Sequence, residues 1–404
     1  MIEKISLKNF KCFEKIDVTC RELNLFTGIN GMGKSTLIQA LLLLRQTYEK
    51  NNCLENQRLI LNGSYVELGT QTDIMYWFRK DDVLSIEVEE NDHKWMCQYD
   101  KVGNLISESQ GPLSERDSFL TKKFEYISAE RLGPRRYYDT IENENSLHSE
   151  IGVKGEKTAV CLYEKGSDVK VYPNMKHSSE TSERLELQIN AWLSEISPNI
   201  KVNVIPYLDV NLMGVRYSTS NSLGEESTNA LNMGFGVSYS LPIIVALLSA
   251  REGDILVLEN PEAHLHPRGQ RKIGELVALA AANGVQIFME THSDHVLNGI
   301  RLSVRNKKIS SDKVKINYFY EYLSEEGIQK LNDSFYREKS FNYWSMMDEI
   351  NPWILKEFLQ QFVTRIIVDR GIVSSVTFKN GLTLHFIISN PIKNFTDLFD
   401  TQAD

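Results

Sequence analysis

Hydrophobic and polar residues alternate near the start of the chain in the pattern of a β-strand. Residues 5–10 read Ile-Ser-Leu-Lys-Asn-Phe, in which apolar and polar side chains alternate as they do in a half-buried strand. A second apolar run covers residues 23–27, and the apolar-rich residues 36–44 are typical of a buried helix. The predicted order is therefore strand, strand and helix, with a glycine-rich segment directly before the helix.

The glycine-rich segment, residues 28–35, matches G-x-x-x-x-G-K-[ST] at every fixed position, in the strand-to-helix context that this motif requires. Glycines let backbone N–H groups curl around phosphate oxygens, and the start of a helix adds the positive end of its dipole. In such a loop Lys34 would pair with the β- and γ-phosphates, and the Ser35 hydroxyl would bind Mg²⁺. The segment therefore predicts a nucleotide site.

Two later strands end in polar residues that suit the same chemistry. Residues 255–258 form an apolar run of the buried parallel-strand type, and Glu259 follows directly. A carboxylate just past a buried strand is where a Walker B acid is expected, holding Mg²⁺ directly or through water. A helix is predicted over residues 268–282, and the next strand, 284–290, leads into Thr291 and His292.

A second glycine-rich segment, residues 232–240, opens the apolar run 241–248. Small residues and a serine at the start of a helix form another anion-binding element. Pro242 is compatible with the first turn of that helix.

The order of these motifs resembles the ATPase head of the ABC superfamily. The stretch PEAHLHP (261–267), the switch THS (291–293) and the opening LKNFK (7–11) are most similar to its RecF/SMC and OLD-like branch. The resemblance covers about residues 1–70 and 225–300 well and the intervening region loosely. It implies an α/β fold, an ABC-type P-loop head with a mixed sheet flanked by helices and an inserted lobe of strands and helices.

The resemblance assigns roles to residues that match the family motifs. It implies ATP and Mg²⁺ as cofactors and a signature segment that completes the site of the opposite subunit. His292 matches the switch histidine that senses the γ-phosphate, whereas Gln71 is either a Q-loop residue or a solvated loop glutamine. The residues matched are Asn30, Gly31, Gly33, Lys34, Ser35 and Thr36 in the phosphate loop, Gly234, Gly236 and Ser238 in the signature, and Ser35 with Glu259 at the metal.

The chain departs from the family pattern at Asn260, where a catalytic glutamate usually follows the metal-associated acid. A neutral amide can position water but cannot accept its proton, and general-base help contributes roughly 10²–10⁴-fold to rates. Glu262 or His292 could take over this task. The interpretations are weak hydrolysis, an ATP-bound clamp that scarcely turns over, or a competent ATPase that uses Glu262.

The remaining segments set the expected domain organisation. Residues 1–71 and 226–325 are assigned to the head, 72–225 to the inserted lobe and 326–404 to an extension. The extension is expected to hold a helix over 353–362 and a β-hairpin over 365–378, with another turn at 380–381. Strands are predicted near 75–78, 83–88 and 95–99, a helix over 185–193 and a further strand over 313–320, while long coiled-coil arms are not predicted. Arg131 and Arg135 are candidates either for phosphate contacts or for salt bridges to nearby acids.

Composition narrows the class of protein without naming an activity. The 404 residues are 42% hydrophobic and 25% charged, with a formal charge of -9, which argues against coating DNA over the whole surface. No apolar run is long enough for a membrane span and no signal peptide is recognised, so we expect a cytoplasmic protein. The five scattered cysteines indicate a reducing compartment. His264 and His266 lack a third ligand at suitable spacing, which favours structural or dimer-contact roles over zinc.

The expected function is ATP-driven closure of a homodimer, or of a higher oligomer, that regulates a separate effector such as a nuclease or toxin. The resemblance to stand-alone OLD-like ATPases implies a bacterial anti-phage setting, and no Asp-x-Asp or H-N-H pattern of a nuclease follows His292. Two alternatives remain: a RecF/SMC-like DNA-repair clamp that binds nucleic acid, and a non-hydrolytic scaffold that assembles on ATP. A transporter subunit fits the motifs least well.

Overall fold

The computed structural model describes residues 1–28, 30–51, 58–91, 93–109, 118–140, 149–221, 224–324, 327–334, 363–369, 372–378 and 383–385. The helices are α1 (Lys34–Asn51), α2 (Gln71–Ile74), α3 (Thr158–Lys165), α4 (Leu185–Leu193), α5 (Phe235–Ser249), α6 (Pro267–Ala282) and α7 (Asp294–Arg305). The strands are β1 (Ile2–Phe10), β2 (Phe13–Thr19), β3 (Leu23–Gly28), β4 (Leu84–Glu90), β5 (His93–Tyr99), β6 (Leu105–Ser109), β7 (Phe124–Ile127), β8 (Tyr137–Asp139), β9 (Ile200–Tyr207), β10 (Leu212–Asn221), β11 (Gly224–Asn229), β12 (Ile255–Glu259), β13 (Gln286–Glu290), β14 (Val314–Ser324), β15 (Gly327–Ser334), β16 (Val363–Asp369), β17 (Ile372–Phe378) and β18 (Thr383–His385).

A six-stranded sheet in the order β15-β14-β3-β13-β12-β7 carries the candidate site. Its strands run parallel except for β15, which pairs antiparallel with β14. Parallel strands bring their carboxyl ends to one edge, so the ends of β3, β13 and β12 lie side by side. The chain therefore has the expected mixed α/β fold.

Alternate residues of the central strands pack on opposite faces of this sheet. Leu256 and Leu258 belong to a core built with helices α3 to α7, whereas Ile255 and Val257 belong to a second core with α1 and the N-terminal strands. A strand covered on both faces must be apolar at every position. This double burial explains the uninterrupted apolar run that predicted β12.

A five-stranded antiparallel sheet, β2-β1-β4-β5-β6, covers the α1 side of the molecule. Leu7 of β1 lies opposite Ile86 of β4, so apolar positions of two distant segments share one buried face. Strand β7 joins the central sheet, and β8 to β11 form a third sheet. Residues 72–225, expected as one inserted lobe, thus contribute strands to three sheets, and β4 pairs with β1 on the side opposite to β2.

Several local expectations are corrected by the structure. The strand predicted at 75–78 is reduced to a single bridge between Met75 and Phe10, and Trp77 and Phe78 are exposed. Helix α5 begins at Phe235, so Pro242 lies inside it rather than in its first turn. Pro242 has no N–H to donate to the carbonyl of the residue four positions earlier, so α5 lacks that backbone hydrogen bond.

The C-terminal residues 337–404 form a unit that is separate from residues 1–336. Strands β16 and β17 pair antiparallel, which confirms the predicted hairpin, and β18 pairs with β17. The helix predicted over 353–362 and the turn at 380–381 lie outside the described residues. Within the part of the chain that is described, no helix has the length and apolarity needed to span a membrane.

A histidine ring and two cationic side chains surround the carboxylate of Glu195, just beyond α4. His177 Nε2 lies at 3.1 Å, the Arg268 guanidinium at 2.8 Å and Lys272 Nζ at 3.4 Å. Burial raises the pKa of Glu195, but hydrogen bonds from Arg268 and His177 and the charge of Lys272 outweigh it and bring the pKa to about 2. Because Arg268 and Lys272 belong to α6, this cluster fastens the region after α4 to the helix that follows β12.

We expect Glu195→Gln to lower the free energy of unfolding by about 2 kcal/mol at neutral pH, allowing for solvent screening around the exposed Arg268. The folded pKa lies below the ordinary value of 4.5, so this stabilisation is present above that pH and is lost as the pH falls toward 2. Urea unfolding across this range should show the two proteins converging at low pH. Glu186→Gln, which removes an exposed partner of Arg184, should change stability by less than about 0.5 kcal/mol. A pH-independent difference for Glu195→Gln would contradict the assignment.

Candidate nucleotide-binding site

The phosphate loop turns sharply between β3 and α1, and glycines make this turn possible. Gly28, Gly31 and Gly33 have φ angles of 128°, 79° and 100°, a region that side-chain-bearing residues rarely enter. A Cβ at Gly33 would collide with the Phe13 ring and lie 2.7 Å from Cys12 Sγ. The backbone of the loop is therefore held against the β1–β2 turn. Ile29 lies outside the described residues.

Helix α1 begins at Lys34, so Lys34 and Ser35 occupy its first turn next to the loop. Lys34 Nζ donates a 3.0 Å hydrogen bond to the Gly28 carbonyl, and Ser35 Oγ donates a 2.7 Å bond to Glu290 Oε2. Burial lowers the pKa of Lys34, and the charge of Glu290 opposes this shift. Thr36 is buried, with its Oγ1 3.6 Å from Cys12 Sγ.

Glu259 ends β12 and is held from the side of β7. Its carboxylate accepts a 3.1 Å hydrogen bond from the Ala129 N–H and another from the Tyr126 hydroxyl. Burial raises the pKa of this carboxyl, and the nearby charge of Glu290 raises it further. The predicted metal acid is thus a half-buried carboxylate that already has two protein donors.

Asn260 follows with φ of 44°, a left-handed conformation that asparagine tolerates better than most residues. Its N–H donates a 2.9 Å bond to the Glu290 carbonyl, which extends the pairing of β12 with β13 by one residue. Its side-chain Oδ1 is buried and has no hydrogen-bond partner within the described structure. An unsatisfied acceptor of this kind is costly, and a bound water molecule or ligand would satisfy it.

Glu262 and His292 connect the loop after β12 to the loop after β13. Glu262 accepts a 2.8 Å bond from the Thr291 hydroxyl and a 2.8 Å bond from the His292 N–H. The His292 side chain is exposed, and its Nε2 lies 3.9 Å from Glu290 Oε1. Both oxygens of Glu262 are therefore engaged in holding the switch loop.

Arg131 fixes the backbone at the end of β12. Its guanidinium donates to the carbonyls of Ser128, Glu259 and Asn260 at 2.8, 2.7 and 2.7 Å, and it stacks 5.3 Å from the centre of the Tyr239 ring. Burial lowers its pKa to about 10, so it stays charged at neutral pH. Of the two roles considered from sequence, phosphate contact and salt bridging, neither describes these contacts with carbonyl groups. Arg135 is exposed.

The signature segment packs against the loop after β12 in the same chain. A Cβ at Gly236 would lie 2.6 Å from the His264 carbonyl, so only glycine permits this approach. The rings of Phe235 and Tyr239 contact the His264 ring at 5.5 and 4.7 Å between centroids. His264 thus contributes to packing between two motifs.

Accessibility differs along the signature segment. Gly234 is exposed with open space around its Cβ position, and Phe235 is 53% exposed. The Ser238 side chain is buried beside Tyr217 of β10, in contrast to the expected nucleotide-facing serine.

Two other predicted residues have local contacts away from the phosphate loop. The Gln71 amide donates a 3.4 Å bond to the Asp100 carbonyl in the β5–β6 turn. The His266 ring caps α6 by accepting from the Arg268 N–H. No cluster of three or more His, Cys, Asp or Glu side chains suited to a metal is found in the described ranges.

The residues present fit a magnesium nucleotide. Mg²⁺ in phosphate-transfer sites takes few protein oxygens because the phosphates and water supply the rest. Ser35 and the carboxylates at the ends of β12 and β13 provide such oxygens, while Lys34 and the start of α1 provide positive potential for phosphates. Sequence reasoning missed Glu290, although it stands just past a buried strand as Glu259 does, and it did not find the carbonyl contacts of Arg131.

Comparison with protein families finds similarity to AAA ATPase domains over two parts of the chain, each shorter than half of it. Residues 1–190 match the family described as "AAA ATPase domain". Residues 162–298 match the family described as "AAA domain, putative AbiEii toxin, Type IV TA system". No curated protein matches the chain.

Solved structures of SMC heads are among the similar folds. An SMC head bound to the C-terminal winged-helix domain of ScpA has 13% identity and a TM-score of 0.48, covering 83% of this chain and 98% of that one. The head from Thermotoga maritima has 12% identity, a TM-score of 0.40 and coverages of 81% and 97%. A Pyrococcus furiosus head with an extended coiled coil, bound to the C-terminal domain of ScpA, has 11% identity and a TM-score of 0.49. The match covers 86% of this chain and 98% of that one. The fold assignment therefore rests on the strand order and the phosphate loop themselves.

We expect Arg131→Lys to destabilise the protein by about 3 kcal/mol, because the donors of an ammonium all leave one atom, whereas the guanidinium reaches the three carbonyls from two separate nitrogens. Arg135→Lys changes an exposed side chain in the same loop and serves as the matched control. Thermal and urea unfolding of both variants would measure the difference. Equal stability of the two variants would show that Arg131 does not hold the end of β12.

Proposed function

We propose that the chain binds ATP with Mg²⁺, hydrolyses it slowly and closes as a homodimer around the nucleotide, thereby regulating a separate effector protein. The observation that carries this proposal is the meeting of α1 with the strand ends. Lys34 and Ser35 start the helix at the edge where Glu259, Glu290 and His292 converge. A lysine ammonium, a hydroxyl and nearby carboxylates are the groups that bind phosphate and Mg²⁺ in P-loop sites.

Slow turnover follows from the groups available to activate water. Asn260 stands where a carboxylate would accept the proton of the attacking water, and an amide oxygen cannot do so. Glu262, the nearest substitute, has both oxygens bonded to the switch loop. The site is thus equipped to bind and orient a triphosphate better than to cleave it.

Dimer closure is supported by the exposed start of α5. The N-terminus of a 15-residue helix, with glycine at Gly234 and no side chain over it, suits the approach of a phosphate from another molecule. The exposed Phe235 next to it is an apolar group that a partner subunit would cover. A second copy of the chain, bearing its own ATP, is the partner that fits both features.

Regulation of an effector is proposed on the resemblance alone. The second matched family carries the name of a toxin in a toxin–antitoxin system, which favours a defence setting over DNA repair. A RecF-like clamp would instead show ATP-dependent DNA binding that weakens steeply with salt. A defence ATPase would assemble with a separate nuclease or toxin and need no DNA for closure.

We expect the natural chain to hydrolyse ATP slowly and Lys34→Met to abolish tight ATP binding, because methionine keeps the apolar stem and removes the charge. Asn260→Asp preserves size and tolerance of the left-handed conformation while adding a base, and should raise the steady-state rate by roughly 10²-fold. Phosphate release measured with excess ATP tests both expectations. Absence of hydrolysis in both the natural chain and Asn260→Asp, with ATP binding intact, would favour the scaffold function.

Complementation between two inactive variants tests whether the site is shared between subunits. Lys34→Met damages the phosphate loop, and Gly234→Arg blocks the exposed start of α5 without a predicted clash inside the chain. Each variant alone should be inactive. A mixed dimer would contain one intact composite site out of two, so an equal mixture should recover up to about half of natural activity.

Light scattering with and without a non-hydrolysable ATP analogue measures the molar mass of each variant and so shows whether it dimerises. The natural chain should dimerise on nucleotide, whereas Gly234→Arg should bind nucleotide and stay monomeric. Full activity of Gly234→Arg by itself would exclude the shared site.

A further inference from the structure

Two carboxylates occupy equivalent positions on neighbouring strands of the central sheet. Glu259 of β12 pairs in register with Glu290 of β13, so their side chains leave the same face of the sheet. On its other side Glu290 pairs with Phe26, two residues before the end of the phosphate-loop strand β3. Glu290 is therefore one strand closer to the phosphate loop than Glu259.

The hydrogen-bond donors to Glu259 and to Glu290 lie on opposite sides of this pair of strands. Glu259 accepts from Ala129 and Tyr126, which belong to β7 and the residues that follow it, on the far side of β12. Glu290 accepts from Ser35 at 2.7 Å and lies 3.9 Å from the His292 ring. The side chain facing the phosphate loop is thus that of Glu290.

The contact between Ser35 and Glu290 is relevant to metal binding because the Ser35 hydroxyl is itself an expected Mg²⁺ ligand. In P-loop sites the serine or threonine at this position binds Mg²⁺ together with a Walker B acid, the role that the sequence resemblance assigns to Glu259. A carboxylate that already shares a hydrogen with that hydroxyl is within reach of the same metal ion. Glu259 has no such contact and has two protein donors of its own.

We propose that Glu290, and not Glu259, is the carboxylate that holds Mg²⁺ with Ser35 in the nucleotide-bound state. This inference rests on the proposed function, since it assumes that ATP occupies the loop. The competing explanation is that Glu290 only anchors α1 as a hydrogen-bond acceptor. Glutamine separates the two, because its amide oxygen still accepts from the Ser35 hydroxyl but binds Mg²⁺ far more weakly than a carboxylate does.

The experiment measures binding of a fluorescent, non-hydrolysable ATP analogue while Mg²⁺ is titrated. Glu290→Gln should raise the Mg²⁺ concentration for half-maximal enhancement of binding by about 10- to 100-fold, the usual cost of losing a group that supports a metal. Metal-free affinity should be unchanged or higher, because a negative charge near the phosphates has been removed. Glu259→Gln, the matched control on the adjacent strand, should shift the Mg²⁺ requirement much less.

Two further variants keep the test decisive if Glu290→Gln folds poorly. Glu290→Asp retains the charge but shortens its reach, and should shift the Mg²⁺ requirement by an intermediate amount. Ser35→Ala should shift it in the same direction while leaving Glu290 in place. Thermal unfolding of each protein without nucleotide reports whether the fold is retained.

The outcomes separate this inference from the function on which it rests. An unchanged Mg²⁺ requirement in Glu290→Gln and Glu290→Asp, or a larger shift in Glu259→Gln, would overturn the assignment of Glu290 while leaving ATP binding in place. Failure of the natural chain to bind the analogue, with or without Mg²⁺, would overturn the proposed function itself. The expected order of Mg²⁺ requirements is natural chain, Glu259→Gln, Glu290→Asp and then Glu290→Gln.

Discussion

Parallel pairing of β3, β13 and β12 is the constraint on which the candidate site depends. The pairing aligns Phe26 with Glu290 and Glu290 with Glu259, so the phosphate loop and both acids meet at one edge of the sheet. A shift of one residue in β13 would turn the Glu290 side chain to the opposite face, away from Ser35. Alternate residues of these strands are buried in two separate cores. A one-residue shift would move each side chain of the shifted strand from one core to the other, and this loss of packing prevents it.

Contacts around the end of β12 join this edge to the signature helix. Arg131 binds the carbonyls of Glu259 and Asn260 and also stacks on Tyr239, one turn into α5. His264, in the loop after β12, packs against that same ring. A movement of the strand end therefore changes the packing of α5, whose exposed start is the proposed contact with a second subunit. If the proposed dimer forms, these contacts give a physical route by which the state of the nucleotide would reach the dimer surface.

The elements that sequence predicted best are those whose local pattern determines them. Strands β3, β12 and β13, helix α4 and the loop 28–35 follow from apolar runs and a motif with fixed spacing. Pairing between distant segments was not predictable in the same way. Nothing local in residues 84–99 indicates that they complete a sheet with β1, and a single sequence does not reveal which of two acids faces Ser35. Arg131 was recognised as unusual, but its carbonyl partners are assembled from residues some 130 positions apart.

The charge at this edge gives a physical reason for the asparagine that breaks the family pattern. Glu259, Glu262 and Glu290 already converge there, and the charge of Glu290 raises the pKa of Glu259. Another carboxylate at position 260 would add like-charge repulsion among partly buried groups and toward the phosphates. Asn260 keeps the left-handed turn and the backbone bond to β13 without adding charge. If Glu290 supplies the metal-binding carboxylate, the chain can bind a magnesium nucleotide without a catalytic base at position 260. Such a site suits a protein that acts on its partner while ATP is bound, because slow hydrolysis prolongs that state.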